Sequence, residues 1–200
     1  MTDRTAAPTL SGRHMTLRPL SPADRDALVD VASTGGLWDL SYASVSQMKD
    51  PDAFFVRAFR ERDAGRTMPF AVLDRADSVC GTTRFLRMNA QHRRVEIGGT
   101  FYATRVQRTG VNTEAKLLLL THAFGALRCQ CVQIRTDALN LRSQAAIERL
   151  GAKRDGVLRG HQVMPDGRVR DSVVYSILDR EWPAVRQNLQ SLLARHGDPA

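Results

Sequence analysis

Residues 111–127 restrict the fold more than any other stretch of this chain. Written as a helix, they place Leu117, Leu118, Leu120, Ala123, Phe124 and Leu127 around most of the circumference. A helix that is apolar on nearly every side is expected to be buried on nearly every side, so it needs other layers around it. Strand patterns precede it. His14–Leu20 alternates, and Met68–Leu73, Val79–Met88 and Arg94–Tyr102 read as three further strands. The short polar connections Arg75–Ser78 and Asn89–His92 make antiparallel hairpins the simple reading of those three.

The remaining punctuation is mostly helical. Ser21-Pro22-Ala23-Asp24 has a capping serine, a first-turn proline and an acid where the helix dipole favours one. Ala27, Leu28 and Val31 continue it as an apolar stripe up to Gly35-Gly36. A second helix starts at Asp50-Pro51, buries Phe54, Phe55, Ala58 and Phe59, and stops near Gly65. After the apolar helix come a strand at Gln130–Thr136, a helix at Asn140–Leu150 closed by Gly151, and a strand near Val157–Val163. Pro165-Asp166-Gly167 turns the chain into a strand at Val169–Leu178, and an amphipathic helix begins at Glu181. This order predicts a mixed α/β (α+β) fold with an antiparallel-rich sheet. With 200 residues, a single domain over 1–200 is expected, with a core at about 12–180 and a C-terminal helix at about 181–195. Residues 1–10 and 196–200 lack periodicity and are expected to be mobile.

Composition narrows the class. No apolar run reaches the roughly 18–20 residues of a membrane helix, and the start, with Asp3, Arg4 and Thr5, does not read as a signal peptide. Three cysteines, an odd and sparse number, point to a reducing cytoplasm. Cys129 and Cys131 share a strand face and read as a buried or semi-buried pair rather than a zinc site. The five histidines have no metal spacing, and no Ser-His-Asp order suggests a hydrolase. His122 reads as structural, while His161 suits either the surface or an acceptor cleft. The net charge is +8, from 29 Lys+Arg against 21 Asp+Glu. The arginines are scattered, so a solvated surface explains them more simply than nucleic-acid binding, and a small polyanion such as a nucleotide fits as well.

Chemistry concentrates at Tyr102–Ala115, where a strand ends and a turn containing Gly110 opens a helix. The first N–H groups of a helix have no internal partner and its dipole makes that end positive, so a diphosphate is stabilised there. Gly110 lets backbone approach such a ligand, and Arg105 and Arg108 supply charge-assisted hydrogen bonds. A plain strand-to-helix turn accounts for the same residues.

Gln107-Arg108-Thr109-Gly110-Val111-Asn112 resembles the Arg/Gln-x-x-Gly-x-Gly/Ala motif of the GNAT N-acetyltransferase superfamily, which holds the coenzyme A pyrophosphate. Asn112 departs from it, standing where Gly or Ala is commoner, although Asn tolerates left-handed and cap geometry. Glu96-Ile97-Gly98-Gly99 is similar to the family's fourth strand. Asn140-Leu141-Arg142-Ser143, followed by Ala146-Ile147 and Leu150-Gly151-Ala152, resembles the Asn-x-x-Ser helix of the RimJ/RimL-like branch. The likeness runs from about Met15 to Ile177.

That resemblance implies a GNAT fold, with a mostly antiparallel sheet whose fourth and fifth strands splay apart. It implies acetyl-CoA as co-substrate, no metal, and an amine acceptor that is a small molecule or a protein N-terminus. Ile97, Gly98, Arg105, Gln107, Arg108, Thr109, Gly110, Val111, Asn112, Thr113, Asn140 and Ser143 would bind the coenzyme. Gly98-Gly99 suits a bulge that frees a backbone N–H for the thioester oxygen, or a simple packing twist. Glu96 is the candidate base, or a strand residue paired with Arg94 or Arg135. Ser143 would sit near the sulfur as acid, or serve as a first-turn hydroxyl. Asn140 would bond the pantetheine amides, cap its helix, or do both. Trp38 and Tyr42, with Asp39 and Glu96, would wall a partly acidic acceptor cleft, or belong to the core. The acceptor is then expected to be an uncharged-ring or peptide-like primary amine, with nucleic acid and membrane as unexpected partners and a homodimer left open. A non-catalytic acyl-CoA sensor and a basic ribosome- or RNA-associated protein are the competing readings.

Overall fold

The structure, a computed structural model, describes residues 7–34, 44–164 and 166–196. Eight strands form one sheet: β1 (Leu10–Ser11), β2 (Thr16–Pro19), β3 (Met68–Leu73), β4 (Val79–Asn89), β5 (Arg94–Tyr102), β6 (Cys131–Asp137), β7 (Lys153–Val163) and β8 (Val169–Leu178). The spatial order is β1-β2-β3-β4-β5-β6-β8-β7. Every neighbouring pair is antiparallel except β5 and β6, which run parallel. Parallel neighbours need a long crossover, and the connection here contains the apolar helix α3 (Val111–Gly125).

Helices α1 (Arg25–Ser33) and α2 (Pro51–Asp63) precede β3, α4 (Leu141–Arg149) follows β6, and α5 (Trp182–Ala194) ends the fold. Adjacent residues of β4 show that α2 and α3 cover opposite faces. The Arg84 guanidinium lies over the Phe54 ring of α2, and Phe85 packs on His122 of α3. Side chains alternate across a strand, so the two helices lie on different sides of the sheet. Phe124 of α3 stacks on Trp182 of α5 at 5.4 Å between ring centroids. The expected burial of α3 follows: Ala115, Leu119, Leu120 and Ala123 are fully enclosed.

Local signals set most boundaries. Asp50 caps α2 by accepting from the Ala53 N–H at 3.0 Å, with Pro51 at the first position. Ser21 and Pro22 open a 3-10 turn over Pro22–Asp24, and the α-helix proper starts one turn later than expected, at Arg25. Asp24 is used twice, accepting from the Ser21 N–H and gripping Arg18 through both oxygens. Two strands differ from the expectation. β1 lies at the edge of the stretch expected to be mobile, whose residues 1–6 fall outside the described residues; two residues are too few to show alternation. β7 starts at Lys153, and register breaks between Arg154 and Gly156 and between Leu158 and Gln162 interrupt its pattern. Among the described residues no helix is long and apolar enough to cross a membrane.

Helix α3 also buries two charges. Glu114 accepts the backbone N–H groups of Arg13, His14 and Met15 at 2.7, 2.7 and 3.1 Å, and its place in the first helical turn suits its charge. A Cβ on Gly12 would come 2.2 Å from the Glu114 carboxyl carbon, so only glycine fits there. Two residues along, Lys116 is 6% exposed and donates to Thr100 Oγ1 at 3.3 Å. Burial pulls its ammonium from the usual 10.5 to about 8.

Two outcomes follow for stability. Glu114→Ala orphans three N–H groups, so thermal unfolding should shift down by roughly 5–10 °C; an unchanged Tm would show that the tie is dispensable. For Lys116, the unfolded chain holds more protons than the folded one between about pH 8 and 10.5. Stability from this group therefore rises with pH across that window. Lys116→Met should be more stable than wild type at pH 7, with the gap closing as pH approaches 10.5. A gap independent of pH would refute this.

Candidate active site

Strands β5 and β6 pair only from Arg94↔Cys131 to Ile97↔Ile134. Beyond that point they part, although β5 stays paired with β4 to Tyr102 and β6 with β8 to Asp137. The register between β4 and β5 passes from Arg84↔Gly98 to Thr82↔Phe101. Three steps on β5 thus face two on β4, which is a bulge, and Gly99 adopts a left-handed φ of 60° within it. The parted edge of β5 has lost a partner strand, so its backbone groups face the gap. A cleft of about 620 Å³ occupies this gap, bounded by the bulge, the loop before α3 and the first turns of α3 and α4.

The loop before α3 is braced internally. Gln107 donates to the Tyr102 carbonyl at 3.0 Å and accepts from Arg142 of α4 at 2.7 Å, so one side chain links β5 to α4 across the cleft. Arg108 takes a left-handed φ of 62°. The Thr109 hydroxyl donates to the Val106 carbonyl at 2.7 Å and accepts from the Val111 N–H at 3.3 Å. Across the cleft, Asn140 caps α4 by accepting from the Ser143 N–H at 3.0 Å. That bond uses its oxygen and leaves its amide N–H groups for other partners. Ser143, one turn on, is half-buried and lines the same cleft.

Of the expected coenzyme-binding residues, the cleft brings together Ile97, Gly98, Gln107, Arg108, Thr109, Asn112, Asn140 and Ser143. Four lie elsewhere. Arg105 pairs with Asp74 in the β3–β4 turn, which draws its guanidinium away. Gly110 has ordinary helical φ and faces His14: a Cβ there would lie 2.9 Å from the imidazole Nε2, so the ring, not left-handed geometry, requires the glycine. Val111 and Thr113 are buried, and the Thr113 hydroxyl accepts from Arg149 at 3.3 Å. Lys116, Arg135 and Arg170 also line the cleft and were not anticipated. The signal available for Lys116 was a charge inside an otherwise apolar stripe.

Glu96 is 5% exposed, and one of its oxygens is engaged. Arg87 donates to Oε2 at 2.7 Å, and Arg135 Nε stands 3.2 Å from the same oxygen without a hydrogen-bonding angle. Oε1 faces Gly98, 3.7 Å from the position of a Cβ there. A second hollow, of about 440 Å³, begins here and shares Gly98, Gly99, Arg135 and Arg170 with the cleft. The described part of its lining holds six arginines and two glutamates, a basic surface where a partly acidic one was expected. His161 also lines it, 2.8 Å from the Ser172 hydroxyl; burial, then Arg135, lowers its pKa. Trp38, Asp39 and Tyr42 lie outside the described residues. Among the described residues no group of three or more His, Cys, Asp or Glu is arranged to hold a metal ion.

Residues 14–153, well over half of the chain, match the family described as the acetyltransferase (GNAT) domain. YdaF of Bacillus subtilis (strain 168), provisionally named a ribosomal N-acetyltransferase, is 28% identical over 173 residues, spanning 84% of this chain and 93% of that protein. A provisionally assigned acetyltransferase from T. thermophilus, known from its crystal structure, is 38% identical with a TM-score of 0.78, covering 94% of this chain and 98% of the other. Mycobacterium smegmatis RimJ, solved in complex with CoA-disulfide, shares the fold at 20% identity and a TM-score of 0.74, covering 94% and 96%. The parted parallel strands and these likenesses agree: the chain is an acetyltransferase and belongs to the GNAT family.

Proposed function

We propose that the chain binds acetyl-CoA in the cleft between β5 and β6 and transfers its acetyl group to a primary amine held beside Glu96. The observation that carries this reading is the parted edge of β5, where the Gly98–Gly99 bulge stands between the cleft and the second hollow. The residues present fit such a ligand. An extended amide chain can pair with the open edge of β5 as an added strand would. At the other end, Arg108, Arg142 and the start of α3 at Asn112 form a cationic rim suited to a diphosphate. The complex of M. smegmatis RimJ with CoA-disulfide supports a coenzyme A ligand.

Bound there, acetyl-CoA supplies an acetyl group activated as a thioester, whose carbonyl carbon gains a bond to nitrogen as its bond to sulfur breaks. An alkylammonium has a pKa near ~10.4 and must lose a proton first. Glu96 takes that proton at Oε1, while Arg87 and Arg135 fix the carboxylate through Oε2. Backbone N–H groups at the bulge receive the charge that grows on the carbonyl oxygen. Ser143 lies across the gap and gives a proton to the departing sulfur, regaining one from solvent. Asn140 directs its free amide N–H groups at the arm of the ligand.

Binding is tested by calorimetry with purified protein: acetyl-CoA should bind, and the double change Arg108→Glu, Arg142→Glu should weaken it by on the order of 10- to 100-fold. Folded wild type that binds none would overturn the proposal. Turnover is tested by thiol release with a panel of amines. Glu96→Gln should cut the rate about 10²–10⁴-fold and change the shape of the pH–rate profile. A profile of the same shape would take Glu96 out of the mechanism.

A further inference from the structure

We propose that the acceptor amine carries its own anion, a carboxylate or a phosphate ester, and that Arg84 receives this group at the floor of the second hollow. The inference rests on the acetyl-transfer reading above and adds to it the class of the acceptor.

The arginines of the hollow are unequally satisfied. Arg66 grips Glu61 side-on, Nε to one oxygen at 2.7 Å and Nη2 to the other at 2.8 Å. Arg87 and Arg135 share Glu96, and Arg57 donates to Gln47 at 2.6 Å. Both glutamates of the described lining are thereby used. Arg84 has neither. It is 5% exposed, its Nε and Nη2 make no hydrogen bond among the described residues, and its contact is the Phe54 ring, 4.5 Å from the guanidinium carbon. Nε and Nη2 form one edge of the guanidinium, the same edge with which Arg66 grips a carboxylate in this hollow. That edge matches the two oxygens of a carboxylate or phosphate.

A buried cation with two unmade hydrogen bonds is costly and calls for a specific explanation, and a bound anion supplies one. Burial and then Arg57 pull the Arg84 guanidinium down to about 10. Arg170, with its Nε also unbonded among the described residues and Asp137 at 3.7 Å, extends the positive surface toward the cleft. A polycationic amine is repelled by this lining.

Position ties the anion to the chemistry. Arg84 Nε lies against the bulge, 2.6 Å from where a Cβ on Gly99 would be, and the open Oε1 of Glu96 faces the neighbouring Gly98. Consecutive Cα atoms are about 3.8 Å apart, so an anion on Arg84 and an amine beside Glu96 belong to one short molecule or one residue.

The test uses the full chain with saturating acetyl-CoA and matched amines: 3-aminopropionate against its amide, and O-phosphoethanolamine against ethanolamine. At least one anionic member should exceed its neutral partner in kcat/KM by on the order of 10- to 100-fold, and the pair that shows it tells carboxylate from phosphate. Arg84→Met should reduce that ratio to about 3-fold or less. Because each comparison is within a pair, a general loss of activity cancels. Equal use of both members of both pairs, or a preference that survives Arg84→Met, overturns the proposal. Should Arg84→Met fail to fold, Arg84→Lys, which keeps the charge and loses the fork, is judged by the same ratio. If none of the four amines is acetylated, they are not acceptors of this enzyme. Calorimetry of the four amines on CoA-loaded protein then still decides the anion site: anion-selective binding that Arg84→Met abolishes supports it, and no selectivity overturns it.

Discussion

The parting of β5 and β6 after Ile97 and Ile134 is the constraint on which the rest of the molecule depends. A sheet held together by antiparallel pairs contains one parallel pair, and that pair is abandoned after four residue pairs. Each strand keeps its outer partner, so the sheet stays continuous while opening a wedge. The bulge at Gly98–Gly99 bends β5 away from β6 without cutting its ladder to β4. The groups assigned to the proposed transfer stand on the rim of this wedge: the loop before α3, the first turn of α4, and Glu96 at the last closed rung but one.

Much of this was legible before any coordinates. Met68–Leu73 and Arg94–Tyr102 were bounded to the residue, because polar connections flank them on the sides that matter. Asp50 and Asn140 announced two helix starts by the chemistry of capping, which acts over three residues. What escaped the sequence acts over long distances. Gly110 was read as letting backbone approach a phosphate, and its lack of bulk is also required by His14, which lies far from it in the chain. Arg105 looked like a ligand for phosphate until Asp74, in another turn, claimed it. A charged residue's partner cannot be inferred from its neighbours in sequence, so the basic second hollow was invisible.

Three buried charges illustrate three ways of settling a cost. Glu114 is solvated by backbone, in the manner of a capping residue, and needs no counter-ion. Among the described residues Lys116 bonds only a hydroxyl, and it accommodates by a lowered pKa. Arg84 has an aromatic face and, among the described residues, two enclosed N–H groups with no partner. The first arrangement is complete within the protein, and the second is complete once the proton is given up. The third is complete only with something else present, and it sits next to the reacting edge. An unexpected arginine in the buried middle of β4 was its trace in the sequence.

The Glu114 tie also has a temporal side. The residues it joins are separated by 99 to 101 positions. On a ribosome the turn at Gly12–Met15 emerges well before α3 and must wait in water until that helix has been synthesised and has left the exit tunnel. Strands β1 and β2 are too short to persist alone in the meantime. A segment made early is therefore secured late, and closing so long a loop before it is rewarded favours slow folding. The turn is clasped by the very helix whose N-terminus borders the cleft, so completion of the edge of the sheet and completion of the site become a single late event.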